Sequence, residues 1–239
     1  MSLILALDTS TDACSVALNA DGVITSLFEV AAKSHTQRLL PMVDELLKAK
    51  GCELTDLDAI AFGRGPGSFT GLRICAGIVQ GLAFGASLPV IPVSTLEAMA
   101  LGFYRANPDI HLPLAVALDA RMNEVYWGLC ARSGELVEPL VAEQVISPDV
   151  VVASTEVARL HGDFIGIGPG WHYPAMQTLA TVNKVLNVHP HAENMALIAA
   201  KLFAEGKVVS ALEAQPVYLR DSVSWQKRQR IRDSNDFLV

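Results

Sequence analysis

Apolar residues in the first thirty positions follow the pattern of a three-stranded meander. Residues 3–7 form an apolar run that ends at Asp8, as a buried strand ends in a polar turn. Residues 13–19 and 23–30 are strand-like, and Asp21-Gly22 between them favours a tight hairpin because both residues tolerate positive φ angles.

Two helices are then predicted from residues that recur at helical spacing. The first covers residues 34–50 and ends at Gly51, and it contains Pro41, which should kink the helix or mark its true first turn. The second covers about residues 70–86, after the glycine-rich turn at residues 63–68. This second helix is apolar on nearly every side, so something must cover it on every side.

Three glycines recur every four residues along the second helix, at Gly77, Gly81 and Gly85. Residues at this spacing lie on one face of a helix, so they form a stripe along which another backbone can approach closely. Either neighbouring helices of this chain or a second protein could cover the stripe, and the pattern alone favours neither.

The second half of the chain repeats the order of the first. Ala6-Leu7-Asp8 precedes the hairpin at Asp21-Gly22, and Ala117-Leu118-Asp119 precedes a hairpin at Ser133-Gly134. Strand, aspartate turn, strand and hairpin therefore occur twice, which indicates an internal repeat. We predict an α/β protein with the two-lobed actin-like ATPase fold of sugar kinases, Hsp70 and actin, in which each lobe is a mixed sheet with helices.

The predicted lobes cover residues 1–103 and 104–222, and a basic tail covers residues 223–239. In this fold, the turn after the first strand of each lobe faces the cleft between the lobes. The residues of these turns are candidates for nucleotide contact: Asp8, Thr9, Ser10, Asp119 and Arg121.

Composition narrows the classes of function. The net charge of -7 makes the chain a poor general phosphate binder, because nucleic-acid affinity rests on Lys and Arg. Four cysteines without a C-x-x-C pair are expected to be reduced thiols in a reducing compartment, and no signal peptide pattern precedes the first strand. Gly, Pro, Arg or Gln interrupts the apolar runs before the roughly 18 residues that a membrane helix needs. We expect a cytoplasmic protein outside the membrane.

Searches for enzymatic chemistry leave few candidates. The glycine-rich turn lacks the lysine of a Walker loop, and Pro66 interrupts a dinucleotide fingerprint, so a tight turn capped by Ser68 or Thr70 is the favoured interpretation. No two histidines have H-x-x-x-H spacing, and no G-x-S-x-G motif is present. Asp8 and Asp119 are either turn caps or the acid and base of a nucleotide hydrolase or small-molecule kinase.

The end of the chain carries a basic run beside Trp225. The run consists of Lys227, Arg228, Arg230 and Arg232. A solvated tail is the favoured interpretation, and contact with RNA or with an acidic partner is the alternative.

Five segments of the chain together resemble the bacterial TsaB (YeaZ) family, and the resemblance covers essentially the whole chain. They are LALDTS at 5–10, SHTQRLLP at 34–41, GRGPGSFTGLR at 63–73, DARMNEVY at 119–126 and PVYLRD at 216–221. The resemblance implies the actin-like fold and a role in making N6-threonylcarbamoyladenosine at position 37 of tRNAs that read codons beginning with A.

The family also implies a division of labour. TsaD transfers the threonylcarbamoyl group from threonylcarbamoyl-AMP, TsaE is a small ATPase, and a chain of this family supports TsaD without catalysis or a cofactor of its own. Such a chain forms a heterodimer with TsaD, forms a homodimer when alone, and meets tRNA only through the complex. The resemblance thus places an interface on the two predicted helices, which we assign to Leu39, Val43, Leu46, Leu47, Leu72, Ile74, Gly77, Ile78, Gly81, Leu82 and Gly85.

One segment allows this division to be checked. TsaD holds a metal with two histidines in a Val-Asn-His-x-Glu-Gly-His segment, and residues 93–99 correspond to it here. Thr95 and Met99 stand in place of the histidines, and only Glu97 remains. A lone glutamate does not make a metal site, so we predict no metal and disfavour the protease-like activity once attached to this family.

Overall fold

The computed structural model describes residues 2–30 and 34–220, and its strands form two five-stranded sheets. The predicted tail at 223–239 lies outside the described residues. The first sheet consists of β1 (Leu3–Asp8), β2 (Ala13–Ala20), β3 (Val23–Val30), β4 (Ala59–Gly65) and β5 (Val90–Ser94). The second consists of β6 (Leu114–Arg121), β7 (Glu124–Ser133), β8 (Leu136–Ile146), β9 (Ile165–Ile167) and β10 (Asn183–Val185).

The two sheets share one topology. Their strand orders are β3-β2-β1-β4-β5 and β10-β9-β6-β7-β8, so each strand of the first sheet has a counterpart five strands later. In both sheets the first three strands are antiparallel and the last two run parallel to the first. The internal repeat predicted from two short sequence matches is therefore confirmed.

Seven α-helices lie among the described residues. They are α1 (His35–Lys50), α2 (Phe69–Ala86), α3 (Thr95–Ala106), α4 (Pro148–Val152), α5 (Thr155–Ala158), α6 (Pro174–Thr178) and α7 (Ala192–Ala204). Pro41 lies inside α1, which begins six residues earlier, so Pro41 does not mark the first turn. As predicted, α1 ends at Gly51, which has a left-handed conformation with φ of 67°.

Helices cover both faces of the first sheet. α1 and α2 bury Leu46 and Val79 against one face, and α7 buries Met195 against the other. α3 lies between the sheets, where Met99 packs with the apolar residues of β6. We call the first sheet with α1, α2 and α7 the first lobe, and the second sheet with α4–α6 the second lobe. The boundary predicted at residue 103 stays a prediction, and α7 packs on the first sheet although it follows the second in sequence.

Helix α2 meets the length and composition of a membrane span, with 18 residues and a mean hydropathy of 1.3. Its apolar run is interrupted by Gly71, Arg73 and Gln80, as predicted, yet the helix as a whole reaches this length. The helix packs one side against the first sheet through Cys75, Val79 and Ala83, which are fully buried. Core helices of soluble proteins pass the same test, so α2 is weak evidence for a membrane.

Candidate functional site

The outer face of α2 is open and smooth. Phe69, Arg73, Gly77, Gly81 and Gly85 recur every four residues, and all five are exposed. A Cβ atom added at any of the three glycines would meet nothing within 4 Å. Packing within the described chain therefore does not explain these glycines, although each costs a helix roughly 0.5–1 kcal/mol relative to alanine.

The residues assigned to the partner interface fall into three groups according to how exposed they are. Leu39, Val43 and Leu46 are buried in the core of the first lobe, and Leu72 is buried as well. Leu47, Ile74, Ile78 and Leu82 are partly buried at its margin, and Gly77, Gly81 and Gly85 are exposed. The buried leucines and valine anchor the two helices in the first lobe. The surface available to a partner therefore consists of the exposed glycines of α2 and the half-buried residues beside them.

Aromatic residues stand at both ends of this face. Phe84 is 72% exposed and Phe69 is 56% exposed. The Arg73 guanidinium lies over the Phe69 ring, 3.8 Å from its centroid, and Arg73 Nε donates to the Tyr218 hydroxyl at 3.0 Å. We call the exposed residues Phe69, Arg73, Gly77, Gly81, Phe84 and Gly85 the glycine face.

The glycine-rich turn before α2 is a close packing contact with the turn after β1. The Ser68 backbone N–H donates to the Ser10 carbonyl at 2.7 Å, and the Thr9 hydroxyl donates to the Gly71 carbonyl at 2.8 Å. A Cβ at Gly71 would overlap the Thr9 carbonyl oxygen. Ser68 caps α2 by accepting from the Gly71 N–H at 3.4 Å, which confirms the prediction of a tight turn joining strand to helix.

A cleft of about 500 Å³ lies between the lobes. Among the five candidates for nucleotide contact, Ser10, Asp119 and Arg121 line it. Asp8 and Thr9 are fully buried behind it, because their strand end is covered by the glycine-rich turn. The prediction that both aspartates face the cleft therefore holds only for Asp119.

The two aspartates have different environments. Asp119 pairs with Arg121 at 3.0 Å and accepts from the Tyr173 hydroxyl at 2.9 Å. Burial raises the pKa of Asp8 to about 7, although the Ser10 hydroxyl donates to Asp8 Oδ2 at 3.0 Å and lowers it. Among the described residues, Asp8 Oδ1 has no hydrogen-bond partner. Of the two carboxylates, only that of Asp119 lines the cleft.

The start of α3 does not fit a two-histidine metal site. Thr95 and Met99 are fully buried and offer no imidazole. Ser94 caps the helix by accepting from the Glu97 N–H at 3.1 Å, and burial, with the nearby Glu143 charge, raises the pKa of Glu97. Within residues 2–30 and 34–220, no group of three or more His, Cys, Asp or Glu residues is arranged to hold a metal ion.

Sequence reasoning missed a set of contacts that join the lobes. Arg64 pairs with Glu143 at 2.9 Å across a separation of 79 residues, and Arg220 pairs with Glu124. Arg64, Glu124, Tyr218 and Arg220 all stand in segments that resemble the family, which was a usable signal. Glu143 carried no such signal, because nothing in the local pattern of β8 distinguishes it from a surface glutamate.

Comparison with known proteins identifies the family of this chain. The family model described as "TsaD: tRNA N6-adenosine threonylcarbamoyltransferase" matches residues 21–225. The TsaB protein of Escherichia coli K12 is 45% identical over 228 residues, which cover 94% of this chain and 97% of that protein. The TsaB protein of Haemophilus influenzae is 42% identical, with coverage of 94% and 96%.

A solved structure agrees with these relatives. YeaZ from Pseudomonas aeruginosa superposes with a TM-score of 0.84 at 45% identity, over 92% of this chain and 100% of that chain. The predicted two-lobed actin-like ATPase fold is thereby confirmed, together with the resemblance seen in the five sequence segments. Because its near relatives match over almost their whole length, the chain belongs to the TsaB (YeaZ) family of tRNA threonylcarbamoyladenosine biosynthesis proteins.

Proposed function

We propose that this protein is a non-catalytic partner subunit which, with TsaD and TsaE, is required to transfer the threonylcarbamoyl group to N6 of adenosine 37 in tRNAs that read codons beginning with A. The observation that carries the proposal is the glycine face, an exposed surface whose glycines have no role in packing the described chain. TsaD is the proposed occupant. In its absence, a second copy of the chain takes the same place in a cytoplasmic homodimer.

The shape of the glycine face suits a helix from another protein. From residue 69 to residue 85 it extends about 24 Å at 1.5 Å per residue. Missing side chains at three successive turns let a second backbone approach closely, while Phe69 and Phe84 offer apolar anchors at the ends. Aromatic and arginine side chains supply much of the binding energy at protein interfaces, and Arg73 is already held in place by its contacts with Phe69 and Tyr218.

The site residues support a subunit without chemistry of its own. Asp8, the aspartate that would be expected to meet a nucleotide, is buried behind Ser10 and does not line the cleft. Thr95 and Met99 replace the metal-binding histidines of TsaD, and both are fully buried. On this proposal, the tRNA and the threonylcarbamoyl donor are held by TsaD, which accounts for the acidic character of this chain.

The test places a charge on the glycine face without disturbing the fold. Gly81→Glu puts a carboxylate where a side chain meets open space, so the isolated variant should fold as the parent does. We expect it to lose capture of TsaD and to abolish modification in a reconstituted assay with TsaD, TsaE and tRNA. A charged side chain in a close-packed interface is left without its water or an ion partner.

Ala158→Glu is the matched control, because it adds the same charge at an exposed helical position in the second lobe. It should retain both capture and modification. If folded Gly81→Glu captured TsaD and supported modification as well as Ala158→Glu does, the docking proposal would be wrong.

An independent nucleotide hydrolase or kinase is the competing function. Robust ATP turnover by the purified chain alone, lost in Asp8→Ala, would favour it over the subunit.

Direct binding of tRNA by the basic tail is a third candidate function, and the tail, residues 223–239, lies outside the described residues. On the subunit proposal the full chain alone does not bind tRNA. Salt-dependent binding by the full chain that is lost on truncation before Trp225 would show that the tail makes phosphate contacts.

A further inference from the structure

Residues 216–220, which we call the crossing segment, run from the first lobe to the second beside the cleft. At the first lobe, the Val217 backbone N–H donates to the Arg64 carbonyl at 2.8 Å. The Tyr218 ring lies 5.7 Å from the Phe69 ring, centroid to centroid. At the second lobe, the Arg220 guanidinium donates to the Ala120 carbonyl at 3.3 Å.

The second-lobe end of the crossing segment is held by more than one contact. Arg220 forms an ion pair with Glu124, on the strand that follows the β6–β7 turn. Arg121, Met122 and Asn123 in that turn have φ angles of 62°, 55° and 59°, a left-handed conformation that non-glycine residues rarely adopt. Arg220 therefore binds both sides of a strained turn at the rim of the cleft.

Arg64 joins the lobes a second time. Its carbonyl holds the crossing segment, and its guanidinium pairs with Glu143 of β8 in the second lobe at 2.9 Å. Glu143 also accepts from the Ser94 hydroxyl, at the end of β5 in the first lobe. The Arg64 and Glu143 side chains are only 24% and 14% exposed, so this pair is less screened by solvent than a surface pair.

Two lobes of a protein that meet at a cleft commonly rotate about a hinge when a ligand binds. We propose that Arg64 and the crossing segment form a latch that fixes the angle between the lobes, so that the cleft keeps one width whether or not it holds a ligand. The latch has two parts: the Arg64–Glu143–Ser94 contacts, and the Val217, Tyr218 and Arg220 contacts beside the cleft. It concerns the chain by itself, and its Arg64 and Arg220 ion pairs lie outside the glycine face.

The distance between the lobes is the quantity to measure. Spin labels are attached to cysteines placed at the exposed positions Thr55 and Glu156, one in each lobe, in a Cys52→Ser background. The other three cysteines, Cys14, Cys75 and Cys130, are buried. Pulsed EPR then gives the distribution of distances, with labelled protein diluted in unlabelled protein so that pairs of copies do not contribute.

Arg64→Gln and Arg220→Gln each remove one part of the latch. We expect each to broaden the distance distribution about twofold relative to the labelled parent, and the double variant to broaden it further. Arg38→Gln is the control, because it breaks an exposed ion pair with Glu29 inside the first lobe and should change nothing. Addition of MgATP as the probe ligand should leave the distribution of the parent unchanged.

Three results would overturn the latch. The parent itself could give a broad distribution, MgATP could shift the distance in the parent, or both glutamine variants could keep its narrow distribution. Circular dichroism identifies a variant that has not folded. Should Arg64→Gln fail this check, Arg220→Gln decides the question, since it leaves behind Glu124, which is more exposed than Glu143.

Discussion

The buried carboxyl of Asp8 should make the protein less stable as the pH rises, and Asp8→Asn should remove that effect. Asp8 is fully buried, its Oδ2 accepts from the Ser10 hydroxyl, and its Oδ1 has no hydrogen-bond partner in the part of the chain that the structure describes. An asparagine has the same shape, can accept from Ser10 through its own oxygen, and does not ionise. The substitution therefore removes a charge with little change in packing.

The size and sign of the effect follow from the pKa of Asp8, which burial raises from 3.8 to about 7. Between these values the folded state keeps a proton that the unfolded chain releases. The free energy of unfolding is therefore highest below pH 3.8, falls as the pH rises towards 7, and is level above it. A shift of about three units corresponds to roughly 4 kcal/mol.

The measurement is urea denaturation of both proteins from pH 5 to pH 8, followed by circular dichroism. Relative to the parent, Asp8→Asn should gain about 2 kcal/mol at pH 5 and about 4 kcal/mol at pH 8, apart from a constant offset due to the amide. Other groups, including Glu97, titrate alike in both proteins and cancel. Asp12→Asn, which removes an exposed carboxylate from the same turn, is the matched control for the loss of one negative charge. A difference between Asp8→Asn and the parent that stayed constant with pH would refute the reasoning.

Three further substitutions test packing, each by the free energy of unfolding of dilute protein. Gly71→Ala should destabilise by about 1–3 kcal/mol, because its Cβ would overlap the Thr9 carbonyl oxygen; a neutral result would mean that the turn can shift. Gly81→Ala should stabilise by about 0.5–1 kcal/mol, because its Cβ meets open space and alanine favours the helix; a loss would show a hidden contact. Leu46→Ala should cost about 2–5 kcal/mol as a fully buried core residue, and a cost below 1 kcal/mol would argue against that burial.

Local signals in the sequence predicted the elements well. Asp21 and Gly22 have positive φ angles in the hairpin as expected, Ser68 caps α2, and Gly51 ends α1. These features depend on a few neighbouring residues, so a short window of sequence contains the cause. The prediction for Pro41 failed in part, because packing of Leu39, Val43 and Leu46 against the sheet keeps the helix continuous through a residue that lacks an N–H group.

Long-range contacts could not be predicted from a short window of sequence in the same way. Periodicity described α2 as apolar all round, and only the sheet decides that Val79 faces inward while Gly81 faces out. Asp8 and Asp119 occupy equivalent places in the repeat, yet one is sealed by the glycine-rich turn and the other lines the cleft. The pairing of Arg64 with Glu143 depends on how the two sheets meet, which no local pattern records.

The repeat that relates the two sheets does not extend to α2. After β4 the first lobe has the 18-residue α2, whereas after β9 the second lobe has only the short turn Pro169–His172 and the five-residue α6. Within residues 2–30 and 34–220, each chain therefore has a single glycine face. On the docking proposal, one glycine face can hold only one partner at a time. Self-association of the chain and binding of TsaD therefore compete for it. The ratio of the two proteins in the cell, as well as their affinity, would then set how much working complex forms.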